Sequence, residues 1–181
     1  GAYKLIDALD SFKIDVSEKV CMDVGSSTGG FTEVLLERGA KKVIAIDCGK
    51  NQLDYKLRCD KRVILIENKK VTLLKKEELV DDIEIAVMDV SFTSSIKILE
   101  YLFQEFLIKK LIVLIKPQFE YNRLKKKLLL PDSFDGVIKD SLTREQIVNY
   151  IENEIKNLKL NIVNKKECNI KGTKGNIEYL F

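Results

Sequence analysis

Short apolar, β-branched runs alternate along this chain with segments whose apolar residues recur at helical spacing. Residues 19–24, 42–47, 63–67, 83–89, 110–116, 160–169 and 177–181 read as strands. Between them, Leu5, Ile6, Leu9 and Phe12 make one helical face. Phe31, Val34, Leu35 and Leu36 make a second, closed by Gly39 in a helix-ending position, and Leu99, Leu102, Phe103 and Phe106 make a third. After Ser141, a stripe of Ile147, Ile151, Ile155 and Leu158 predicts a further helix, with Thr143 and Gln146 spaced as a capping box.

Strands separated by helices imply an α/β fold. A parallel connection needs a crossover long enough to hold a helix, so the sheet is expected to be mostly parallel, with helices on both faces. Only residues 171–176, with Gly172 and Gly175, separate the last two strands, which therefore read as an antiparallel C-terminal hairpin on a seven-stranded sheet. No internal repeat or linker interrupts the order, and one domain over residues 1–181 is expected. Residues 120–138 contain Pro131, Gly136 and the basic cluster Arg123, Lys125, Lys126 and Lys127, and read as a long functional loop.

Composition narrows the chemistry. The 181 residues include no histidine, which removes Ser-His-Asp and Cys-His catalysis and every His-ligated metal site. Proton transfer then falls to Lys, Asp, Glu, Cys or Tyr, and no metal is expected. The net charge of +3, from 31 basic and 28 acidic side chains, permits an anionic partner without demanding one. Cys21, Cys48, Cys59 and Cys168 show no C-x-x-C spacing, and the first two lie in apolar runs, so buried reduced thiols of a cytoplasmic protein are expected. No apolar stretch approaches the length of a membrane span and no signal peptide is visible, so no membrane partner is expected.

The first strand runs into Asp23-Val24-Gly25-Ser26-Ser27-Thr28-Gly29-Gly30-Phe31 and then a helix. Glycines at a strand-to-helix turn let the backbone approach a ligand beyond the carboxyl ends of the strands. Ser27 occupies the second glycine of the dinucleotide fingerprint, which argues against NAD. Asp47, 22 residues beyond Gly25, ends the second strand where a carboxylate accepts hydrogen bonds from both hydroxyls of a ribose. Glu67 and Asn68, at the end of the third strand, are weaker candidates for an adenine edge. The fourth strand ends in Asp89-Val90-Ser91-Phe92 and the fifth in Lys116-Pro117-Gln118-Phe119-Glu120, each with a charge at the carboxyl end of an apolar run. Lys116 buried alone would be costly, and Asp89 is the carboxylate expected beside it.

These motifs, with Gly136-Val137-Ile138-Lys139-Asp140 and Gly175-Asn176-Ile177-Glu178, together resemble the TlyA (haemolysin A-like) family, a branch of the FtsJ-like S-adenosylmethionine-dependent RNA 2′-O-methyltransferases. The resemblance covers essentially the whole chain and implies a Rossmann-like class I methyltransferase fold. It implies S-adenosylmethionine held by Asp23, Gly25, Ser26, Ser27, Thr28, Gly29, Gly30, Phe31, Asp47, Glu67, Asn68 and Asp89. It also implies a Lys-Asp-Lys-Glu active site formed by Lys4, Asp89, Lys116 and Glu178, with ribosomal RNA or a ribosomal subunit as partner. Family members carry a small RNA-binding domain ahead of the catalytic one, so the resemblance is to the catalytic domain without it. Cys168-Asn169-Ile170 stands where the family tends to have Ser-Pro-Ile.

The chemistry has its own logic. A ribose hydroxyl is a poor nucleophile until its proton is removed, whereas a sulfonium methyl is already electrophilic, so alignment and one base suffice. Lys116 is the candidate, either as that base or as a charged group orienting the hydroxyl. Amino methylation commonly uses an Asp/Asn-Pro-Pro-aromatic segment, which Asp89-Val90-Ser91-Phe92 replaces, and carbon-5 methylation needs a cysteine nucleophile in a Pro-Cys pair, which is absent. For RNA, Arg123, Lys125, Lys126, Lys127, Lys165, Lys166, Lys171 and Lys174 are phosphate candidates, and Phe119 and Tyr121 are stacking candidates. The alternative to an enzyme is a cofactor-binding module acting through RNA or protein contacts. A cytolysin finds no amphipathic membrane segment to support it.

Overall fold

The computed structural model describes residues 1–181, apart from the side chain of Thr173. Seven strands are hydrogen-bonded in the order β3-β2-β1-β4-β5-β7-β6. The first five are parallel and the last two join antiparallel, which is the mostly parallel α/β sheet the sequence implied. The residues group into two compact units, Gly1–Val90 with Ile98–Val113, and Ser91–Lys97 with Leu114–Phe181.

In the first unit, α1 (Ala2–Phe12) precedes β1 (Val20–Val24), α2 (Gly30–Glu37), β2 (Lys42–Ile46), the short α3 (Tyr55–Arg58), β3 (Val63–Ile66) and β4 (Ile85–Met88). Helix α4 (Ser95–Phe106), whose first three residues belong to the second unit, then leads to β5 (Lys110–Ile115), whose last two do as well. β1 and β4 are buried along their whole length, because each has a parallel neighbour on both sides. Gly39, at φ 83°, follows the end of α2 as expected. Cys21 lies in this core, where burial pushes its thiol up to about 12 against the partly opposing charge of Lys19. All four cysteines are free, but Cys48 and Cys59 are exposed. The expectation of four buried thiols fails there because Cys48 follows the last paired residue of β2 and so faces solvent.

In the second unit, Leu114 and Ile115 of β5 pair with β7 (Tyr179–Leu180), which also pairs with β6 (Lys166–Glu167). β6 is far shorter than residues 160–169. Its pairing stops at Lys166, and Val163 before it is 84% exposed, so an apolar run without a neighbouring strand stays irregular. Residues 120–138 are not a loop throughout, because α5 (Pro117–Leu128) takes the first nine of them, and only 129–138 are irregular. Pro117 at the first helical position starts it, and Tyr121 and Leu124 give it a narrow buried stripe among lysines and arginine. α6 (Ser141–Asn157) buries Ile147, Val148, Ile151 and Ile155. Its cap is Asp140 rather than Thr143: the Asp140 carboxylate accepts from Thr143 N at 2.8 Å and Thr143 Oγ1 at 2.7 Å. Among the described residues, no helix is long and apolar enough to cross a membrane.

Candidate functional site

Beyond β1 the chain reverses without losing its ties to the sheet. Gly25 N and Ser26 N both donate to Ile46 O, at 2.9 and 3.1 Å, so the turn is built on the end of β2. Gly25 has φ 83°, and a Cβ there would lie 2.5 Å from Asp89 O, so the turn passes too close to the end of β4 for any side chain. Gly29, at φ 104°, starts α2 beneath the side chains of Leu53, in the loop after β2, and Leu57 of α3. Ser27 N donates to Asp47 Oδ2 at 2.8 Å and Gly49 N to Asp47 Oδ1 at 2.7 Å. Each carboxylate oxygen has a second lone pair, so Asp47 keeps acceptor capacity for a diol.

Two polar atoms at this turn lack protein partners among the described residues, Asp23 Oδ1 and Ser26 Oγ. Buried polar atoms are ordinarily satisfied, and an orphaned pair beside a glycine turn suits a polar ligand. Thr32 Oγ1 donates to the other Asp23 oxygen at 2.6 Å. Burial pushes the Asp23 carboxyl up to about 7; the Thr32 bond opposes this, and the charges of Asp89 and Asp47 add to it. An unfolded aspartate ionises near 3.8. Between these values the folded chain holds a proton that the unfolded chain releases, so the contribution of Asp23 is full below about pH 4 and is lost as pH rises through 7. The difference is on the order of 4 kcal/mol. Asp23→Asn, which keeps an acceptor for Thr32, should therefore gain on the wild type between pH 5 and pH 8 in denaturant midpoint. An equal gap at both pH values would show that Asp23 ionises normally.

Glu67 accepts from Arg58 NH2 at 2.6 Å and from Gln52 N at 3.2 Å, tying the loop after β2 to the end of β3. Asn68 is exposed at φ 54°. Thr28 is exposed at the tip of the turn, and its carbonyl accepts from Asp54 N at 3.0 Å. The start of α1 lies against the same turn: a Cβ at Gly30 would come 3.1 Å from Ala2 N, and one at Gly1 would come 3.5 Å from the Phe31 ring and 3.6 Å from Asp89 Oδ2. Lys4 stands one turn along that helix, half-buried, and Asp89 N continues the β4 pairing by donating to Val24 O at 3.0 Å.

The second unit carries Lys116 and Glu178. Lys116 sits at the boundary of β5 and α5, its Nζ donating to Ser91 Oγ at 3.1 Å and lying 5.7 Å from the centre of the Phe119 ring. Glu178 is 2% exposed and accepts from Gln118 Nε2 at 2.9 Å. Asn176 joins two motifs that lie far apart in sequence, since its Oδ1 accepts from Ile138 N at 3.1 Å and its Nδ2 donates to Gly136 O at 2.9 Å. Gly172 passes over the Glu178 carboxylate so closely that a Cβ would lie 2.0 Å from Oε1. Gly172→Ala is expected to swing that carboxylate off Gln118 with little change in secondary structure. The denaturant midpoint should fall, because the carboxylate loses its hydrogen bond from Gln118, while the circular dichroism spectrum stays that of the wild type.

Tyr121 is not a stacking residue. It is 2% exposed, stacked on Phe134 with ring centres 4.0 Å apart, and its hydroxyl donates to Pro131 O at 2.8 Å. Phe119 instead meets Phe92 at 4.7 Å, and Phe92 is 89% exposed. Its position after Ser91 in a short motif gave no sign of that exposure. Part of the basic set is also committed elsewhere: Arg123 pairs with Glu120 and Glu154, Lys125 with Asp132 and Lys165 with Glu152, and Lys127 lies over Tyr150. Lys126, Lys171 and Lys174 are exposed. Sequence reasoning did not single out Gln118 or Ser91 by role; the alternation of polar residues after Lys116 was the available signal.

The family model described as FtsJ-like methyltransferase matches residues 1–181. The chain is 45% identical over 98% of its length to Hemolysin A of Brachyspira hyodysenteriae, of which it spans 72%. It is 37% identical over its full length to the 23S rRNA (cytidine-2′-O)-methyltransferase TlyA of Campylobacter jejuni, spanning 68% of that protein. The crystal structure of a Lactococcus lactis protein described as a "putative hemolysin" superposes with a TM-score of 0.89 at 34% identity, covering 99% of this chain and 84% of that one.

Proposed function

The chain belongs to the FtsJ-like methyltransferase family, and on that premise we propose that it methylates a ribose 2′-hydroxyl of ribosomal RNA, using S-adenosylmethionine. The observation that carries the reading is the end-to-end likeness to a protein named as an rRNA (cytidine-2′-O)-methyltransferase, in a chain that also has an amine after β5 and an acceptor-rich turn after β1. Asp47 holds the cofactor's ribose hydroxyls. The turn from Gly25 to Gly30 and the orphaned Asp23 and Ser26 atoms take its amino acid portion. Glu67 and Asn68 border its base, and Phe31 and Asp89 complete the surroundings. When bound, the cofactor supplies a methyl group already activated by its sulfonium.

What remains for the protein is to orient the acceptor oxygen and remove its proton. Lys116 does both: its amine takes the hydroxyl proton as the oxygen attacks. Ser91 and the Phe119 ring fix the direction of that amine. Glu178, locked by Gln118, stabilises the ammonium that results; Asp89 and Lys4 are the other members of the proposed catalytic set. The exposed Phe92, backed by the half-buried Phe119, offers a face for a base of the RNA. The four free cysteines accord with a cytoplasmic protein, where ribosomes are found.

Transfer of tritiated methyl groups from S-adenosylmethionine into ribosomal subunits, followed by nucleoside mapping, tests the reading. A 2′-O-methylnucleoside at a defined position is expected. Label confined to bases, or no label with the cofactor bound, would refute it; the second result would favour a binding module.

A further inference from the structure

We propose that Glu120 is a positioning residue for methyl transfer: it anchors the segment after β4 so that the Ser91 hydroxyl holds the Lys116 amine. The inference rests on the reading of Lys116 given above. Lys116, Phe119 and Glu120 follow i, i+3, i+4 spacing, which puts them on one side of the first turn of α5. Each touches the same short segment. Lys116 Nζ donates to Ser91 Oγ at 3.1 Å, the Phe119 ring meets Phe92 at 4.7 Å, and Glu120 Oε1 accepts from both Ser95 N and Ser95 Oγ at 2.9 Å.

That segment has little else to hold it. Ser91, Phe92 and Thr93 are exposed, and Phe92 sits at φ 60°, a conformation that costs a non-glycine residue about 1 kcal/mol. Its firmest attachment is the buried one, Ser95 to Glu120. Ser95 is the first residue of α4, so the Glu120 carboxylate caps that helix from another element and fixes where it starts.

Burial makes the choice of residue informative. Glu120 is 2% exposed, and its second oxygen accepts from Arg123 Nε at 2.7 Å. Arg123 is itself forked onto Glu154 at 2.8 and 2.6 Å. A buried ion pair contributes little net stability over apolar residues of the same shape, whereas it fixes geometry through directional bonds. Here the bonds run from α6 through Arg123 and Glu120 to the segment bearing Ser91, and end on the Lys116 amine.

The test is steady-state methyl transfer into ribosomal subunits by wild type, Lys116→Ala, Ser91→Ala, Glu120→Ala, Glu120→Gln and the Ser91→Ala/Glu120→Ala double variant. Glu120→Ala should lower kcat about 10- to 100-fold, the range expected for slight misplacement of a reacting group, while KM for RNA and cofactor affinity stay within about twofold. Glu120→Gln, which retains an acceptor for Ser95, should recover most of the loss. The double variant should be no slower than the slower single variant, because both act through one contact. An unchanged kcat in Glu120→Ala, losses that multiply in the double variant, or equal losses in kcat and cofactor affinity would overturn the inference. Should Glu120→Ala fail to fold, Ser95→Ala decides: a several-fold drop in kcat supports the anchor, and wild-type kcat refutes it. Activity in Lys116→Ala would instead break the underlying reading, whereas a silent Lys116→Ala beside a fully active Glu120→Ala would break only the present proposal.

Discussion

Lys116→Ala is expected to lower methyl transfer by about 10²- to 10⁴-fold, the usual contribution of a positioned proton acceptor, while cofactor binding by calorimetry is unchanged. The side chain makes no capping bond to α5, is only half-buried, and its contacts include a hydrogen bond to Ser91 and a ring face. Its removal should therefore leave the unfolding midpoint near that of the wild type, and the loss of rate will not be a loss of folded protein. Lys116→Arg sharpens the result. A guanidinium keeps the positive charge and the donors but does not give up its proton at any working pH, so it orients an oxygen without serving as a base. If proton uptake is the task, arginine should be as inactive as alanine. Substantial activity with arginine would assign Lys116 to orientation alone, and full activity with alanine would remove it from the reaction.

Gly25→Ala should damage both stability and cofactor binding. The left-handed backbone at φ 83° costs an L-residue about 1–2 kcal/mol, and the new methyl group would press on Asp89 O from 2.5 Å. A carbonyl at the end of a buried parallel strand does not swing aside as a side chain does, so either the turn opens or Asp89 moves. The combined cost should be about 3 kcal/mol, read as a lowered denaturant midpoint, and affinity for S-adenosylmethionine should fall more than tenfold. Gly175→Ala is the control: it has a similar φ of 84°, but no described atom lies within 4 Å of its Cβ position. It should show the conformational cost of about 1 kcal/mol and nothing more. Equal effects at the two glycines would mean that close approach to β4 is unimportant.

How far the sequence reached depended on the kind of signal. Parallel strands buried on both sides need continuous apolar residues, so β1, β2, β4 and β5 were legible to within one or two positions. A strand of two residues at an edge has no such requirement, and the apolar residues before Lys166 suggested a β6 that its single neighbour does not support. α5 was hidden for the opposite reason: its buried stripe is narrow, and most of its surface is charged.

The same division holds at the site. Order along the chain alone determined the glycine turn, the acidic residue ending β2, and the charged residues after β4 and β5, because a parallel sheet presents strand ends to one edge whatever its loops do. Only tertiary structure decided which side chains are available. Tyr121 stacks inside rather than on RNA, Arg123 is spent on two glutamates, and Gln118 and Glu120, two positions apart, turn to Glu178 and Ser95 respectively. The physical reason is that periodicity fixes the face of a residue on its own element, whereas its partner depends on which distant segment packs there.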